Sequence, residues 1–367
     1  MTGCRSCRGR TGEVVLDLGD QPAADYFPAY GDPGPDPVYP LQMWLCTSCG
    51  LAQLLIDPTV PEEPRATEPV ALVEQAMDAI ARVAADGWLR EGLSVLEYGS
   101  PHGGSWLPFL GDHGLSAGAD DEGADVVLDC FGLMHEADQA AALAERASRV
   151  ATGGTLLIQY HSLATILRLG QWNSLRHGHY GYYSTTALTA MLATVGFAIR
   201  SAWHFELYGG TALLAATRIA ESVRRADEAV NALRDDDRKW AVTDPHGFRE
   251  LQGRVVQSAA ALHRWLSEQR LQGKTVVGYG AASRAVALLC RARVQKALLP
   301  AVADASPAKR GRRMPGTDIP VISPDEMLAS RPEIVLLFLP DLLNEVRACL
   351  PQLEAAGGRW VIAEDLI

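Results

Sequence analysis

The sequence predicts an α/β protein of four units: a small cysteine-bearing module, a shortened α/β domain, a helical connector and a second α/β domain. Two CxxC pairs stand near the N-terminus. Apolar strand-like runs alternate with helical stretches in two separate places, and a long helical stretch lies between them. We place these units at residues 1–65, 66–219, 220–273 and 274–367.

The composition excludes several classes of protein. The chain has 33 Lys and Arg against 44 Asp and Glu, a net charge of −11, which argues against a nucleic-acid partner because phosphate backbones need a basic surface. The N-terminus lacks the apolar core of a signal peptide, and no stretch approaches the roughly 20 apolar residues of a membrane helix. We expect a cytoplasmic protein without a membrane partner, either a monomer or a dimer.

The N-terminal module carries strand-like runs at Glu13–Asp17 and Leu41–Leu45 and four cysteines in two pairs, Cys4-x2-Cys7 and Cys46-x2-Cys49. Two such pairs match the four-thiolate preference of structural zinc, which has no open position for catalysis. Redox-active pairs are the alternative, but these usually occur singly at the start of a helix in a βαβ unit. We therefore predict one structural zinc ion per chain.

The first α/β domain follows a proline-rich linker at residues 61–69, which prolines and charges keep from packing. Helical spacing predicts a helix from Val70 to about Trp88. Three strands and two helices follow in alternation, and this pattern indicates a parallel sheet. The strands are Leu93–Tyr98, Asp125–Cys130 and Thr155–Tyr160, and the helices cover 104–113 and 138–150.

One long helical stretch from about Ala220 to Gln272 leads into the second α/β domain. Its predicted strands are Thr275–Tyr279, Ala301–Asp304, Ile334–Phe338 and Trp360–Ile362, with helices at 281–291, 324–330 and 341–355. A glycine turn, 278–283, opens the first of these helices and can receive an anion there. Asp304 at the next strand end permits an NAD-binding alternative, and a packing turn with solvated arginines is another.

Several stretches resemble the sugar C-methyltransferases, which place the branching methyl group on nucleotide-linked ketosugars in antibiotic pathways. The resemblance covers most of the chain in order. It is carried by residues 17–27, 41–54, His161, 172–184, 208–211, 277–285 and 304–321. It implies a zinc-binding module, a Rossmann-like methyltransferase domain and a C-terminal domain that closes over it. The implied partner is a small nucleotide-sugar, most simply a dTDP-linked 4-keto-deoxysugar.

The resemblance implies that S-adenosylmethionine binds at the end of the first strand of the methyltransferase domain, where glycine lets the backbone approach the ligand. The family usually has Asn-Asp where this chain has Pro101-His102. Only 26 residues separate Tyr98 from Asp125, enough for one crossover, so the second and third strands are predicted to be mostly deleted. The implied donor-binding residues are Glu97, Gly99, Ser100, His102 and Gly103, and Asp120 or Asp121 is the expected substitute for the lost ribose-binding acid.

The family's Tyr-His-Glu-His run corresponds here to Arg176-His177-Gly178-His179. By resemblance His179 is the base that removes the proton beside the ketone, with His177 next to it, because histidine titrates near the working pH. We infer that Arg176 stabilises the enolate charge. The predicted substrate-binding residues are Tyr182, Tyr208, Ser283, Arg284, Lys309 and Arg310. The alternative makes the two histidines ordinary loop residues.

Three other histidines, His102, His135 and His161, follow predicted strand ends, where α/β proteins bind ligands, although each alone is typical of a structural residue. Three functions remain open. The first is methyl transfer from S-adenosylmethionine, and the second is epimerisation or isomerisation by the same deprotonation without a methyl donor. The third is a non-catalytic binding role. The sugar, the nucleotide and the modified carbon are left open.

Overall fold

The computed structural model describes residues 3–32, 34–59, 68–99, 104–118, 123–221 and 225–366. The strands in chain order are β1 (Gly12–Pro22), β2 (Val38–Cys46), β3 (Ala52–Leu54), β4 (Ser94–Tyr98), β5 (Ser116–Ala117), β6 (Ala124–Cys130), β7 (Val150–His161), β8 (Gly181–Tyr182), β9 (Phe197–Phe205), β10 (Thr211–Arg218), β11 (Val276–Tyr279), β12 (Val302–Ala303), β13 (Val321–Ile322), β14 (Ile334–Leu337) and β15 (Arg359–Ile362).

The helices alternate with these strands in the two α/β domains. They are α1 (Val70–Ala85), α2 (Leu107–Asp112), α3 (Gln139–Ser148), α4 (Leu163–Leu169), α5 (Thr185–Thr194), α6 (Glu228–Lys239), α7 (Arg249–Leu271), α8 (Ser283–Arg291), α9 (Pro324–Ala329), α10 (Leu343–Cys349) and α11 (Gln352–Ala355). None of the helices in the described residues has the length and apolar run that crossing a bilayer requires.

The N-terminal module is built on an antiparallel sheet of order β1-β2-β3-β8. The predicted strand runs Glu13–Asp17 and Leu41–Leu45 lie within β1 and β2. The fourth strand, β8, comes from a distant part of the chain: Ala52 pairs with Tyr182 and Gln53 with Gly181. Part of the predicted domain 66–219 therefore completes the sheet of the module.

The middle domain has a six-stranded sheet of order β5-β4-β6-β7-β10-β9. The three predicted strands are confirmed as β4, β6 and β7, which are parallel. The sequence analysis missed β9 and β10, which add to the edge as an antiparallel pair. In β10 the run Ala212–Ala216 is apolar throughout, and such a run does not distinguish a buried strand from a buried helix.

The predicted shortening of this domain is visible next to β4. The segment after β4 contains the six-residue α2 and the two-residue β5, which pairs with β4 in parallel. Within the residues that the structure describes, no strand lies beyond β5 in this sheet. A remnant of the second strand is thus retained, whereas a third is missing from the described segments.

The predicted single helical connector consists of two helices, α6 and α7, separated by a short turn at Pro245–Phe248. Proline lacks the backbone donor that a continuous helix needs, which explains the break. The last predicted helix, 341–355, is likewise divided into α10 and α11, with Pro351 between them.

The C-terminal domain has a parallel sheet of order β13-β12-β11-β14-β15, and its four predicted strands are confirmed as β11, β12, β14 and β15. The first three are slightly shorter than predicted, and β15 begins one residue earlier. One hydrophobic core joins this sheet to the connector and to the N-terminal module. It includes Leu16 and Leu18 of β1, Leu262 of α7 and Leu336 of β14. This shared core holds the C-terminal domain against the N-terminal module, and residues of both units line a common cleft.

Candidate active site

A cleft of about 350 Å³ lies where the carboxyl ends of β6 and β7 meet the start of α8. Ligands in α/β proteins gather at the carboxyl ends of parallel strands, so the position suits a binding site. The N-terminal module, the middle domain and the C-terminal domain all contribute to it. Asp25 comes from the module, His179 and Tyr208 from the middle domain, and Ser283 from the C-terminal domain.

The zinc ligands predicted from the sequence lie together, away from this cleft. The sulfur atoms of Cys4, Cys7, Cys46 and Cys49 lie within 4.8 Å of one another, and two of the pairs are 3.6 Å apart. A tetrahedral zinc ion with bonds of about 2.3 Å places its sulfurs roughly 3.8 Å apart. The four side chains therefore fit a structural zinc ion.

The module rests on the middle domain next to this cluster. Arg8 forms an ion pair of 2.6 Å with Asp138, the residue that caps the N-terminus of α3. Arg5 donates to the carbonyl of Ala137 at 2.9 Å, and its own carbonyl accepts from Ala140 at 3.2 Å. A folded cysteine cluster thus presents a rigid surface to the middle domain.

The cleft wall nearest the module, here called the base wall, is the loop of residues 176–180 with its neighbour His135. The His179 ring meets the His135 ring edge-on, with centroids 4.7 Å apart. Nδ1 of His135 lies 3.1 Å from the carbonyl oxygen of Gly178. Because a carbonyl can only accept, Nδ1 of His135 is the donor of this hydrogen bond.

Arg176 joins the three units at the base wall. Its Nη1 donates to Ser283 Oγ of the C-terminal domain at 2.7 Å and lies 3.4 Å from Asp25 Oδ1 of the module. Its backbone N–H donates to Tyr182 Oη at 3.0 Å. Tyr182 is buried, and burial raises the pKa of its hydroxyl, so it acts as a neutral hydrogen-bonding group.

His177 does not line the cleft, although it is two residues from His179. It is 3 % exposed, and its Nε2 donates to the carbonyl of Pro40 at 3.2 Å. Its ring meets Tyr39 edge-on, with centroids 6.0 Å apart. Burial lowers the pKa of His177 and favours its neutral form. The structure therefore separates the two histidines that the sequence analysis placed side by side.

Five of the six predicted substrate-binding residues line the cleft: Tyr182, Tyr208, Ser283, Arg284 and Lys309. The Arg284 guanidinium lies 5.5 Å from the centre of the Tyr208 ring. Lys309 donates to the carbonyl of Ala281 at 2.7 Å and lies 3.6 Å from Asp304. Arg310 is the exception, because it borders a separate surface depression with Tyr30 and Arg312.

Asp304 bears on the NAD alternative. Its carboxylate accepts hydrogen bonds from the backbone N–H groups of Ala281 and Ser306, both at 2.8 Å. These contacts hold the glycine turn of the C-terminal domain. The carboxylate that would bind a dinucleotide ribose is engaged within the protein, which disfavours that alternative.

The opposite side of the cleft, here called the donor wall, lies at the ends of β4 and β6. Glu97 accepts hydrogen bonds from Ser105 Oγ at 2.5 Å and from the backbone N–H of Trp106 at 2.7 Å. Its carboxylate therefore shapes the start of α2, and neither it nor Gly99 is among the lining residues. Four other predicted donor-binding residues, Ser100, His102, Gly103 and Asp120, lie outside the described residues.

Four other residues form this wall: Glu68, Gly104, Trp106 and Phe131. Gly104 has φ +87°, and a Cβ added there would lie 2.5 Å from a carboxylate oxygen of Glu68. The donor wall therefore has an acidic group beside its glycine turn. Glu68 was not predicted from the sequence, because it lies in the proline-rich linker and belongs to no motif.

Between the two walls the cleft is lined by neutral polar groups. Burial, reinforced by the nearby Arg284 guanidinium, lowers the pKa of His161 to about 3, so this ring is uncharged at neutral pH. Gln159, on the same face of β7, donates to Gln75 Oε1 at 2.6 Å. These groups suit hydrogen bonding to an uncharged part of a ligand.

Comparison with known proteins identifies the parts of the chain. Residues 4–63 match a family of zinc binding domains, and residues 206–363 match the family of C-methyltransferase C-terminal domains. C-methyltransferase NovU of Streptomyces niveus is 22% identical over 404 aligned residues, which cover 98% of this chain and 94% of the relative. Because the alignment is longer than 367 residues, NovU has residues that this chain lacks.

Solved methyltransferases overlap with less than half of the chain. Magnesium protoporphyrin IX methyltransferase from Synechocystis PCC 6803, with bound S-adenosylhomocysteine, is 14% identical and covers 41% of this chain and 84% of its own, with a TM-score of 0.30. The 1,6-didemethyltoxoflavin-N1-methyltransferase of Burkholderia thailandensis is 12% identical and covers 46% of this chain and 95% of its own, with a TM-score of 0.29.

The two family matches follow one another in the order of the module and the C-terminal domain, and the relative spans nearly the whole chain. The cysteine cluster lies within the first match, and Tyr208, Ser283 and Arg284 of the cleft lining lie within the second. The chain belongs to the sugar C-methyltransferase family.

Proposed function

We propose that this chain is an S-adenosylmethionine-dependent C-methyltransferase that acts at the carbon next to the ketone of a nucleotide-linked deoxysugar, with a dTDP-linked 4-keto-deoxysugar as the simplest substrate. The observation that carries the proposal is the position of His179. It lies on the cleft wall beside His135, and Ser283 and Arg284 of the C-terminal domain line the same cleft.

His179 is the proposed base. It removes the proton from C3, which the adjacent carbonyl acidifies, and the electron pair left behind forms an enolate. Arg176 brings a positive charge to the same wall, held by Ser283 and Asp25, and is the proposed partner of the enolate oxygen. Arg284 and Lys309 are the proposed contacts for the phosphate groups of the substrate.

S-adenosylmethionine, when bound, supplies an electrophilic methyl carbon. Glu68, Gly104, Trp106 and Phe131 are the residues that would hold it, since they line the cleft at the ends of β4 and β6. The fit rests on the close approach that Gly104 permits and on the carboxylate beside it.

The short donor wall favours a second candidate, in which the same deprotonation serves epimerisation or isomerisation without a methyl donor. The observation behind it is the two-residue β5 beside β4. A third candidate, a non-catalytic binding role, follows from the family's tyrosine and glutamate being replaced by Arg176 and Gly178.

One experiment separates these candidates. The zinc-loaded protein is incubated in D₂O with a dTDP-linked 4-keto-6-deoxysugar, with and without S-adenosylmethionine, and the sugar is analysed by NMR and mass spectrometry. A gain of one methyl group in the presence of the donor supports the proposal. Deuterium at C3 without methylation supports the second candidate, and an unchanged sugar supports the third.

A further inference from the structure

The loop that carries His179 is held by the zinc module. We propose that Asp57, a residue of the module outside the cleft, is the positioning residue for His179, and that the module thereby sets the geometry of the base. This inference rests on the proposed role of His179 in deprotonation. It assigns the module a task beyond folding its own segment.

The loop 176–180 has little regular structure of its own, since it lies between a short 3₁₀ turn at Trp172–Ser174 and the two-residue β8. Such a segment is ordered by its hydrogen bonds and packing. The orientation of His179 is therefore decided by whatever holds the peptide groups on either side of it.

Asp57 holds the peptide group between His177 and Gly178, one residue before His179. Its Oδ2 accepts a hydrogen bond from the backbone N–H of Gly178 at 2.7 Å. Its Oδ1 accepts from both the backbone N–H and the hydroxyl of Thr59, at 3.0 and 2.6 Å, which fixes the carboxylate. Hydrogen bonds to a charged acceptor are stronger than those between neutral groups.

The other side of the same residue is held by the middle domain. The carbonyl of Gly178 accepts from His135 Nδ1, and Gly178 itself has φ +80°, a backbone conformation that favours glycine. Gly178 thus bonds to the module through its N–H and to His135 of the middle domain through its carbonyl. Both contacts restrict the backbone that leads into His179.

The strand after the base also belongs to the module. The N–H of Leu54 donates to the carbonyl of Tyr180 at 3.3 Å, and β3 then pairs with β8. Because β3 begins three residues after Cys49, the metal ligands are joined to His179 through a short hydrogen-bonded path. The middle domain holds the two peptide groups that flank His179 directly, through His135 and through the carbonyl of Met134, which accepts from the Tyr180 N–H at 2.6 Å. The module holds the next peptide group on each side, through Asp57 and Leu54.

The test uses the full-length, zinc-loaded protein in three variants. Asp57→Ala removes the acceptor, and Asp57→Asn keeps one of its two oxygens. Asp17→Ala is the matched control, because Asp17 is an acid of the same module that accepts from Gln42 Nε2 at 2.8 Å on the exposed face of β1. Zinc content and thermal unfolding are measured for each variant.

Two readouts are compared. The first is the Cε1–H NMR resonance of His179 and its titration, identified by its loss in His179→Asn. The second is the rate of deuterium exchange at C3 of the ketosugar. We expect Asp57→Ala to shift the resonance and to slow exchange by about 10- to 100-fold, since a small misplacement of a reacting group has effects of this size. The KM for the sugar should change less than the rate.

Asp57→Asn should show a smaller change in the same direction, and Asp17→Ala should match the wild type. A folded, zinc-loaded Asp57→Ala protein with an unchanged His179 resonance would overturn the inference. If Asp57→Ala does not fold, Asp57→Asn and Thr59→Val decide by the same resonance. Thr59→Val removes the hydroxyl donor to Oδ1 of Asp57 and keeps the backbone N–H donor. A wild type without C3 exchange would contradict the proposed function, whereas the resonance would still test the positioning.

Discussion

The two walls of the cleft are built in different ways. The base wall is held by contacts from three units. Asp57 of the module, His135 of the middle domain and Ser283 of the C-terminal domain form hydrogen bonds to it, and Asp25 of the module forms an ion pair with Arg176. The donor wall is a shortened scaffold of α2 and β5, and Glu97, its predicted acid, serves the protein's own backbone. Deprotonation and methyl-donor binding should therefore respond to different substitutions.

The largest effect should come from the metal site that supports the base wall. Cys46→Ser removes one of four ligands, and structural zinc contributes on the order of 10 kcal/mol of apparent folding free energy in small domains. We expect about one zinc per chain in the wild type and markedly less in the variant, together with loss of C3 exchange. Elemental analysis and thermal unfolding measure this. Cys349→Ser, an exposed cysteine outside the cluster, is the control. A metal-free wild type with full activity would contradict the zinc assignment.

The second effect concerns the base itself. His179→Ala should slow deuterium exchange at C3 by about 10²- to 10⁴-fold, the usual contribution of a general base. His177→Asn is the comparison, because its ring donates to Pro40 and lies outside the cleft. The folded His177→Asn variant should keep at least part of the deuterium-exchange activity at C3. Equal losses in two folded variants would mean that the structure misassigns the two histidines.

The third effect tests the donor wall. Glu68→Gln should weaken binding of S-adenosylmethionine about tenfold, equivalent to about 1.4 kcal/mol, while C3 exchange without the donor stays unchanged. Glu74→Gln, an exposed acid on α1 outside the cleft lining, is the matched control. Calorimetric titration measures both. Unchanged affinity in Glu68→Gln would remove this residue from the donor wall.

The smallest effect is a pH dependence of the free energy of unfolding that arises from His161, which lies between the two walls of the cleft. The pKa of His161 is lowered to about 3 in the folded chain, against about 6.5 when unfolded. The unfolded chain thus binds more protons between these values, so this contribution to stability is complete above pH 6.5 and falls as the pH decreases.

From pH 7.5 to 5.0 the wild type should lose about 1–2 kcal/mol more than His161→Gln, as urea unfolding can show. His113→Gln, an exposed histidine, should retain the wild-type dependence. Identical pH dependence in the wild type and His161→Gln would indicate that His161 is already solvated in the folded protein.

Much of the fold could be predicted from local patterns. The strands β4, β6, β7, β11 and β14 are apolar runs bounded by turns, and the structure confirms each of them. The strands β9 and β10 were not predicted, because their pairing decides that these segments are strands: β10 pairs with β7, and β9 pairs with β10. The two interruptions of predicted helices were predictable, because each contains a proline, Pro245 or Pro351, that disfavours a continuous helix.

The candidate site was predictable in part. His179, Arg176, Tyr208, Ser283 and Arg284 were selected by resemblance, and they line one cleft. The position of His135 after a predicted strand indicated a possible place in the ligand site. The sequence did not indicate that its ring would contact His179. Asp57 had no signal, because its role depends on the packing of the module against a loop 121 residues away.

By itself the sequence determined the family, the four cysteines that cluster, the alternation of strands and helices and the shortened segment after β4. These follow from residue spacing and hydrophobic periodicity, which are local properties. The tertiary structure decided which histidine faces the cleft, which acids are engaged within the protein and which unit supports the base. Side chains in an irregular loop take their direction from partners distant in the chain, and His177 and His179, two residues apart, therefore differ in their surroundings.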